Sequence, residues 1–160
     1  MMISIIANAQ TSIQIGATVN DTFLDRHLDY DVSVSPSLLI THDLDHGFGV
    51  EALFSNTKMK GDNQPTIRMF NTDFNVFWKP VDLFITPVFS AGFGPVWYSR
   101  QSTEELIERK KMTTVFNTKA GLEFNVNRFT ARTMIYYRTA TIEIDSFRTV
   151  GLVVSAGYRF

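Results

Sequence analysis

The chain has 160 residues, no cysteine and a formal net charge of −1 at neutral pH. These values exclude disulfides and thiolate metal sites, and they argue against a general nucleic-acid binder, which needs a basic face. Hydrophobic residues make up 44% of the chain, too many for a disordered protein, and we expect one domain. No apolar run reaches the roughly 18 residues of a transmembrane helix, so any membrane span must be made by strands.

The first nine residues resemble the end of a signal peptide. Apolar residues 1–6 are followed by Ala7-Asn8-Ala9, the small-residue pattern of a signal-peptidase site. We predict that residues 1–9 are the remnant of a leader and that a barrel domain comprises residues 10–160. The alternative is that these residues are the ordinary beginning of the first strand.

From residue 11 onward, apolar and polar side chains alternate in segments that are separated by turn residues. Such alternation predicts strands with one apolar and one polar face. The predicted strands cover residues 11–20, 29–41, 47–56, 66–79, 82–99, 111–126, 128–141 and 150–160. The apolar faces carry no charged residue, whereas the opposite faces carry Asp31, Glu51, Asp73, Lys119, Glu123, Arg132, Arg138 and Arg159.

The predicted connections alternate in length. Short connections at 42–46, 80–81 and 127 alternate with mostly longer, polar ones at 21–28, 57–65, 100–110 and 142–146. Short turns at one end and long loops at the other are typical of outer-membrane barrels. Three prolines inside strands, Pro36, Pro87 and Pro95, remove a backbone donor each, and we expect them at bulges or near the rims.

The direction of the faces distinguishes a membrane barrel from a soluble one. A soluble eight-stranded barrel encloses its apolar face, whereas a membrane barrel turns that face outward. Here the charged faces mix both signs with Gly, Ser, Asn and Thr, which suits a tight interior of paired charges. The apolar faces of the fifth and sixth strands are long enough to cross a hydrocarbon layer. We predict an all-β, closed, eight-stranded, antiparallel up-and-down transmembrane barrel; the alternative is a soluble calycin-like ligand-binding barrel.

With these residues in view, the chain resembles the small outer-membrane β-barrels: the transmembrane domain of outer-membrane protein A, OmpX-type barrels and opacity-type adhesins. Residues 87–94 are similar to the family's glycine-rich fifth strand, and residues 121–124 with 129–132 to its sixth-to-seventh hairpin. Residues 134–137 stand where the family usually has an acidic residue.

The resemblance implies a place in the bacterial outer membrane, in contact with its lipid and lipopolysaccharide. It also implies insertion by the barrel-assembly machinery, for which the terminal Tyr158 and Phe160 look like the recognition signal. We expect a monomer that requires no cofactor, metal or nucleic acid, with a host or cell-surface ligand as a further partner at the loops.

Six charged residues of the polar faces are the candidate site. Eight strands leave interior room only for side chains, and buried charges need partners. We therefore predict a structural network that plugs the barrel; a gated ion pathway is the alternative. The predicted function is non-enzymatic: envelope structure, or surface interaction and adhesion through the loops. The six residues are Glu51, Asp73, Lys119, Glu123, Arg132 and Arg138.

An enzymatic alternative rests on a single histidine. Some eight-stranded barrels modify lipid A with a histidine beside a serine, and His27 with Ser99 or Ser102 offers that pair. Nothing in the sequence brings these residues together, so we interpret the chain as non-catalytic.

Two further polar segments have a structural and a functional interpretation. His42 and His46 stand among aspartates and have the chemistry of metal ligands, but we interpret the segment as a solvated turn. The charged connection 100–111 is either a solvated excursion or a surface contact site that clamps lipopolysaccharide phosphates.

Overall fold

The computed structural model describes residues 10–24, 28–29, 31–60, 66–81, 83–101, 109–142 and 145–160. Its strands are β1 (Thr11–Leu24), β2 (Leu28–Asp29), β3 (Ser33–Asp43), β4 (Phe48–Met59), β5 (Thr66–Trp78), β6 (Ile85–Gln101), β7 (Arg109–Val126), β8 (Phe129–Ile142) and β9 (Asp145–Arg159). The two-residue β2 pairs only with the end of β1, so the other eight strands form the wall. Each pairs antiparallel with its neighbours along the chain, and β9 pairs back onto β1, which closes the predicted eight-stranded barrel.

The barrel is apolar outside and polar inside. On the outer wall, Ile15, Phe116 and Ile135 expose 74%, 64% and 64% of their surface. Facing the interior, Asp73 and Glu51 expose 0% and 4%. A soluble barrel would show the reverse, so the soluble calycin-like alternative is wrong and the barrel is of the transmembrane kind. No helix within the described residues is long and apolar enough to cross a membrane.

Aromatic rings lie at both ends of this apolar belt. At one end, the Trp78 ring stands between Phe48 and Phe89, with centroids 6.4 Å and 6.1 Å away. Near the other end, Phe70 and Trp97 pair with centroids 5.9 Å apart. Such cross-strand pairs stabilise a sheet by roughly 0.2–1 kcal/mol each, and their position matches the two interfaces of a bilayer.

The three connections predicted to be short all lie at one end of the barrel, here called the turn end. They follow β3, β5 and β7, and the first residues of β1 and the last residues of β9 lie there too. The 3-10 turn at Asp45–Gly47 needs a positive φ of 78° at Gly47, where an added Cβ would meet the Lys79 carbonyl oxygen at 2.2 Å. At the opposite end, here called the loop end, much of the connecting chain lies outside the described residues.

Most strand boundaries differ from the sequence prediction by one to five residues: β1 continues to Leu24, β3 begins at Ser33 and β9 begins at Asp145. Two of these differences have a local cause. The fifth predicted strand began at residue 82, but β6 begins at Ile85. The Thr86 hydroxyl donates to the Leu83 carbonyl (2.8 Å) and accepts from its N–H (3.2 Å), which holds a turn before the strand. The last long connection, predicted at 142–146, is reduced to residues 143–144 because the β8–β9 ladder continues to the pair Ile142↔Asp145.

Each of the three strand prolines stands where one of its two neighbouring ladders is missing. Pro36 pairs with Ala17 of β1, but the β3–β4 ladder begins only at the next residue, Ser37. Pro87 and Pro95 pair with β7, whereas the β5–β6 ladder stops before Pro87 and is interrupted at Pro95. A proline has no N–H to donate, so it is tolerated only where a ladder bond is dispensable.

Candidate functional site in the barrel interior

The six predicted charged residues all project into the barrel interior. Glu51 comes from β4, Asp73 from β5, Lys119 and Glu123 from β7, and Arg132 and Arg138 from β8; each exposes 5% or less of its surface. They meet because inward positions alternate with outward ones on every strand, and the closed sheet turns all inward positions toward one axis.

In the part of the network nearer the loop end, Asp73 connects two cations. Arg138 Nη2 lies 2.6 Å from Asp73 Oδ2, and Lys119 Nζ lies 3.7 Å from the same oxygen. Lys119 Nζ also contacts Glu51 Oε1 at 2.9 Å. Lys119 therefore joins the Asp73 pair to the next carboxylate, so that charges of opposite sign alternate.

The network continues toward the turn end through Arg132. Its Nη1 donates to Glu51 Oε2 at 2.7 Å and its Nε to Glu123 Oε2 at 2.9 Å. Glu123 Oε1 then contacts Lys79 Nζ at 2.8 Å, and the same ammonium contacts Asp43 Oδ1 at 2.7 Å. The chain of contacts thus runs without interruption from Arg138 to Asp43.

Lys79 and Asp43 were not among the predicted site residues. Both stand at positions that continue the inward alternation of their strands by one step, and that continuation is the signal that could have found them. Asp43 instead was counted with the solvated turn, and Lys79 was left unassigned. With them the network holds four cations and four carboxylates and is neutral.

Neutral side chains add hydrogen bonds to two of the four carboxylates, whereas Asp73 Oδ1 is buried without a hydrogen-bond partner. Glu51 Oε1 accepts from Asn75 Nδ2 and Ser90 Oγ, both at 3.0 Å, and Glu123 Oε1 accepts from Asn125 Nδ2 at 2.9 Å. Burying a charge costs several kcal/mol unless its partners are well placed. The additional donors offset part of that cost at Glu51 and Glu123 and hold these two carboxylates in one orientation.

Aromatic rings lie against the cations. The Arg138 guanidinium stands 4.5 Å from the centroid of Tyr136, whose hydroxyl donates to Asn20 Oδ1. Arg132 stands 5.1 Å from the Phe77 ring. Tyr136 falls in the segment where the resemblance stated from the sequence would place an acidic residue, and here its ring face adds a cation–π contact to the Arg138–Asp73 ion pair.

Apolar side chains fill the interior above, beside and below the charges. Buried apolar residues form three clusters. The first lies at the loop end, with Ile67 and Tyr98 packed against it. The second lies beside the charged network, and the third lies toward the turn end. The interior is therefore occupied by side chains at all three levels, as expected for eight strands. In order from the loop end, the three clusters are Met59, Met69, Val96 and Val115; Leu39, Leu53, Tyr136 and Val153; and Phe77, Val88 and Met134.

The wall opposite the charges is held by neutral hydrogen bonds. Ser12 and Thr41 hydroxyls lie 2.7 Å apart, Gln14 Nε2 donates to Ser12 at 3.0 Å, and Ser155 donates to Gln14 Oε1 at 2.8 Å. All four residues are buried. These bonds join β3, β1 and β9 across the closure of the barrel, so the seam is fastened inside as well as through the backbone.

The other sequence candidates do not assemble into a site among the described residues. His42 Nδ1 lies 2.9 Å from Thr11 Oγ1, while His46 is exposed in the turn. In the part of the chain that the structure describes, no group of three potential metal ligands occurs. Ser99 lies on β6, but its proposed partner His27 and the alternative serine Ser102 fall outside the described residues, as do most of connection 100–111 and the leader 1–9.

The terminal aromatics form a small cluster at the turn end. The Tyr158 ring lies 6.0 Å from Phe129 and 5.2 Å from Phe160, and Arg128 Nη1 donates to the Tyr158 hydroxyl at 3.0 Å. Phe160 is 71% exposed. Its exposure leaves the ring accessible, while recognition by the assembly machinery stays a prediction.

Comparison with solved structures places this geometry among known folds. The attachment invasion locus protein of Yersinia pestis is similar over 95% of this chain and 99% of its own, with 18% identity and a TM-score of 0.65. Neisserial surface protein A is similar over 94% of this chain and 97% of its own, with 9% identity and a TM-score of 0.80. The chain has the fold of the small outer-membrane barrels. The resemblance predicted from the sequence is therefore confirmed at the level of the fold.

The same fold also includes an enzyme. The outer membrane enzyme PagL is similar over 89% of this chain and 97% of its own, with 13% identity and a TM-score of 0.64. No protein-family model and no curated protein matches the sequence. Because the identities are low, these likenesses establish the architecture and leave the biological role to be argued from the residues.

Proposed function

We propose that this chain is a non-enzymatic, closed structural barrel of the bacterial outer membrane that presents its loop end at the cell surface. The observation that carries the proposal is the neutral network of four cations and four carboxylates, packed between apolar clusters. A conducting pore needs a continuous hydrated path, whereas these charges are paired with one another and largely removed from water.

A surface-interaction role has support from the distribution of connections and from the neighbours. Long, charged connections such as 100–110 are predicted at the loop end, and barrels of this kind display that end outside the cell. Two similar proteins are described as an attachment invasion protein and a surface protein. The rigid barrel would hold the loops in place for such a contact, while lipid and the assembly machinery are its partners inside the envelope.

Conductance measurements test the closed barrel. The purified, refolded chain inserted into planar bilayers is expected to give no steady current, and its unheated form to migrate faster than its boiled form in detergent gels. Steady ohmic currents from protein that shows this heat-modifiable mobility would contradict the plug. The gel shift makes the test independent of failed folding.

Tag accessibility tests which end faces outward. An epitope inserted within residues 102–108 should be labelled on intact cells, whereas the same epitope at the Asn127–Arg128 turn should be labelled only after the outer membrane is permeabilised. The two insertions are matched, because each adds the same epitope to a connection between two strands and neither removes a residue of the interior network. The opposite labelling pattern would refute the proposed orientation.

A further inference from the structure

A row of basic residues crosses the outer wall at the loop end. In the strand register Lys58 of β4 stands opposite Arg68 of β5, Arg68 opposite Ser99 of β6, and Ser99 opposite Lys110 of β7. Lys58 and Arg68 are exposed on the same outward face as the apolar belt. Three of the four residues at this level are therefore cationic.

The next row toward the middle of the barrel is apolar in its centre. In the same register Asn56 stands opposite Phe70, Phe70 opposite Trp97, and Trp97 opposite Met112. The Phe70 and Trp97 rings belong to the aromatic boundary of the belt. The basic row thus lies one register row nearer the loop end than the aromatic boundary of the belt. The phosphates of a lipid leaflet are found at the level of the basic row.

Lys58 and Arg68 have no ion-pair partner within the described residues. All ion pairs there involve the interior cations, and none involves Lys58 or Arg68. Like charges directly opposite on antiparallel strands destabilise the pair. At the same end of the opposite wall, Asp21 on β1 and Arg148 on β9 carry opposite signs. Among these described residues, the β4–β6 side therefore carries two cations, whereas the charges of Asp21 and Arg148 cancel.

A groove joins Arg68 and Ser99 of the basic row to the aromatic row, and Lys58 stands beside Arg68 in the register. Its volume is about 370 Å³. Arg68 and the nearly buried Ser99 line its upper part, and Phe70, Trp97 and Met112 line its lower part. A cation and a hydroxyl above, with apolar walls below, are complementary to an anionic headgroup that carries acyl chains.

We propose that Lys58, Arg68, Ser99 and the groove beneath them bind a phosphorylated acyl lipid of the leaflet that faces the loop end. The proposal rests on the proposed membrane barrel and names a lipid class for one side of it. A free phosphate would use only the cations, whereas an acyl lipid also covers Phe70, Trp97 and Met112. A lipid reaches this outward-facing site by lateral diffusion in the leaflet.

Lipid-selective quenching of Trp97 tests the site. The chain has two tryptophans, and Trp78→Phe removes the one at the turn end, so that Trp97 alone reports. This variant is refolded into phosphatidylcholine vesicles that contain either brominated phosphatidylcholine or brominated phosphatidate, a phosphomonoester lipid. We expect phosphatidate to quench Trp97 at lower mole fraction, which yields a relative association constant above one.

One pair of substitutions and a single control substitution show which residues cause the preference for phosphatidate. Lys58→Gln with Arg68→Gln should lower the relative association constant by about fivefold for each cation, because a cation near an anionic lipid surface contributes about 1 kcal/mol. Arg148→Gln, at the same end of the opposite wall, should leave it unchanged. An excess of inorganic phosphate should not displace the lipid.

Four results would overturn the proposal. Equal quenching by the two lipids would show that the groove has no preference, and an equal loss in Arg148→Gln would show a general charge effect. Displacement by inorganic phosphate would assign the site to a free anion. Quenching by neither lipid would refute the membrane placement of the wall as well, which separates that failure from a failure of the site alone.

Discussion

Glu51 is the residue whose neutralisation should damage the barrel most clearly. It is 4% exposed, and its carboxylate contacts Lys119 at 2.9 Å and Arg132 at 2.7 Å while accepting from Asn75 and Ser90. Glu51→Gln keeps the shape of the side chain but leaves the interior network with four cations and three carboxylates. Removing one partner of a buried ion pair costs about 3–5 kcal/mol, since the other charge stays buried without compensation.

The double variant Glu51→Gln/Arg132→Gln separates charge balance from simple loss of contacts. It leaves three cations and three carboxylates. Lys119 retains its ion pair with Asp73, and Glu123 retains its ion pair with Lys79. If charge balance controls stability, the free energy of unfolding should fall no further in the double variant than in either single variant. The coupling free energy of the cycle would then be several kcal/mol.

Reversible urea unfolding in lipid vesicles measures these free energies, with tryptophan fluorescence and the heat-modifiable gel shift as two probes. Asp45→Asn is the matched control, because this carboxylate is exposed in the turn. It should change the free energy of unfolding by less than about 0.5 kcal/mol. A Glu51→Gln protein as stable as this control, or a double variant whose loss equals the sum of the single losses, would refute the reasoning.

Three further predictions concern the belt, the turn and the terminus. Phe116, which is 64% exposed, lies on the apolar belt, and Phe116→Arg places a charge there. At a position near mid-membrane this charge should lower the free energy of unfolding in vesicles by about 2–4 kcal/mol. Asp45→Arg, in the exposed turn, should change it little. Gly47→Ala should cost at least about 1 kcal/mol in the same unfolding assay because of its positive φ and the Lys79 carbonyl, and unchanged stability would contradict the turn geometry. Phe160→Ala should lower the assembled fraction in cells but not refolding in detergent; equal loss in both would make Phe160 a stability residue.

The alternation of side chains was sufficient to predict the strands and the direction of their faces. Apolar positions such as Ile135, Phe116 and Val154 lie outward as the pattern predicts, because side chains in a strand alternate between its two faces wherever the strand is placed. The six inward charges followed from the same rule. The alternation did not predict where β6 begins or how short the β8–β9 connection is. A turn held by Thr86 delays the start of β6, and the β8–β9 ladder extends to the pair Ile142↔Asp145.

Only the closed barrel decided which charges meet. Arg132 and Glu51 are 81 residues apart in the chain, and Lys119 and Glu51 are 68 apart. Their contact depends on the stagger with which eight tilted strands close, and this stagger is a property of the whole sheet. It also brought Lys79 and Asp43 into the network and aligned Lys58 with Arg68. A single strand carries the identity of its faces, but the height of each side chain along the barrel axis is set by the seven other strands of the wall.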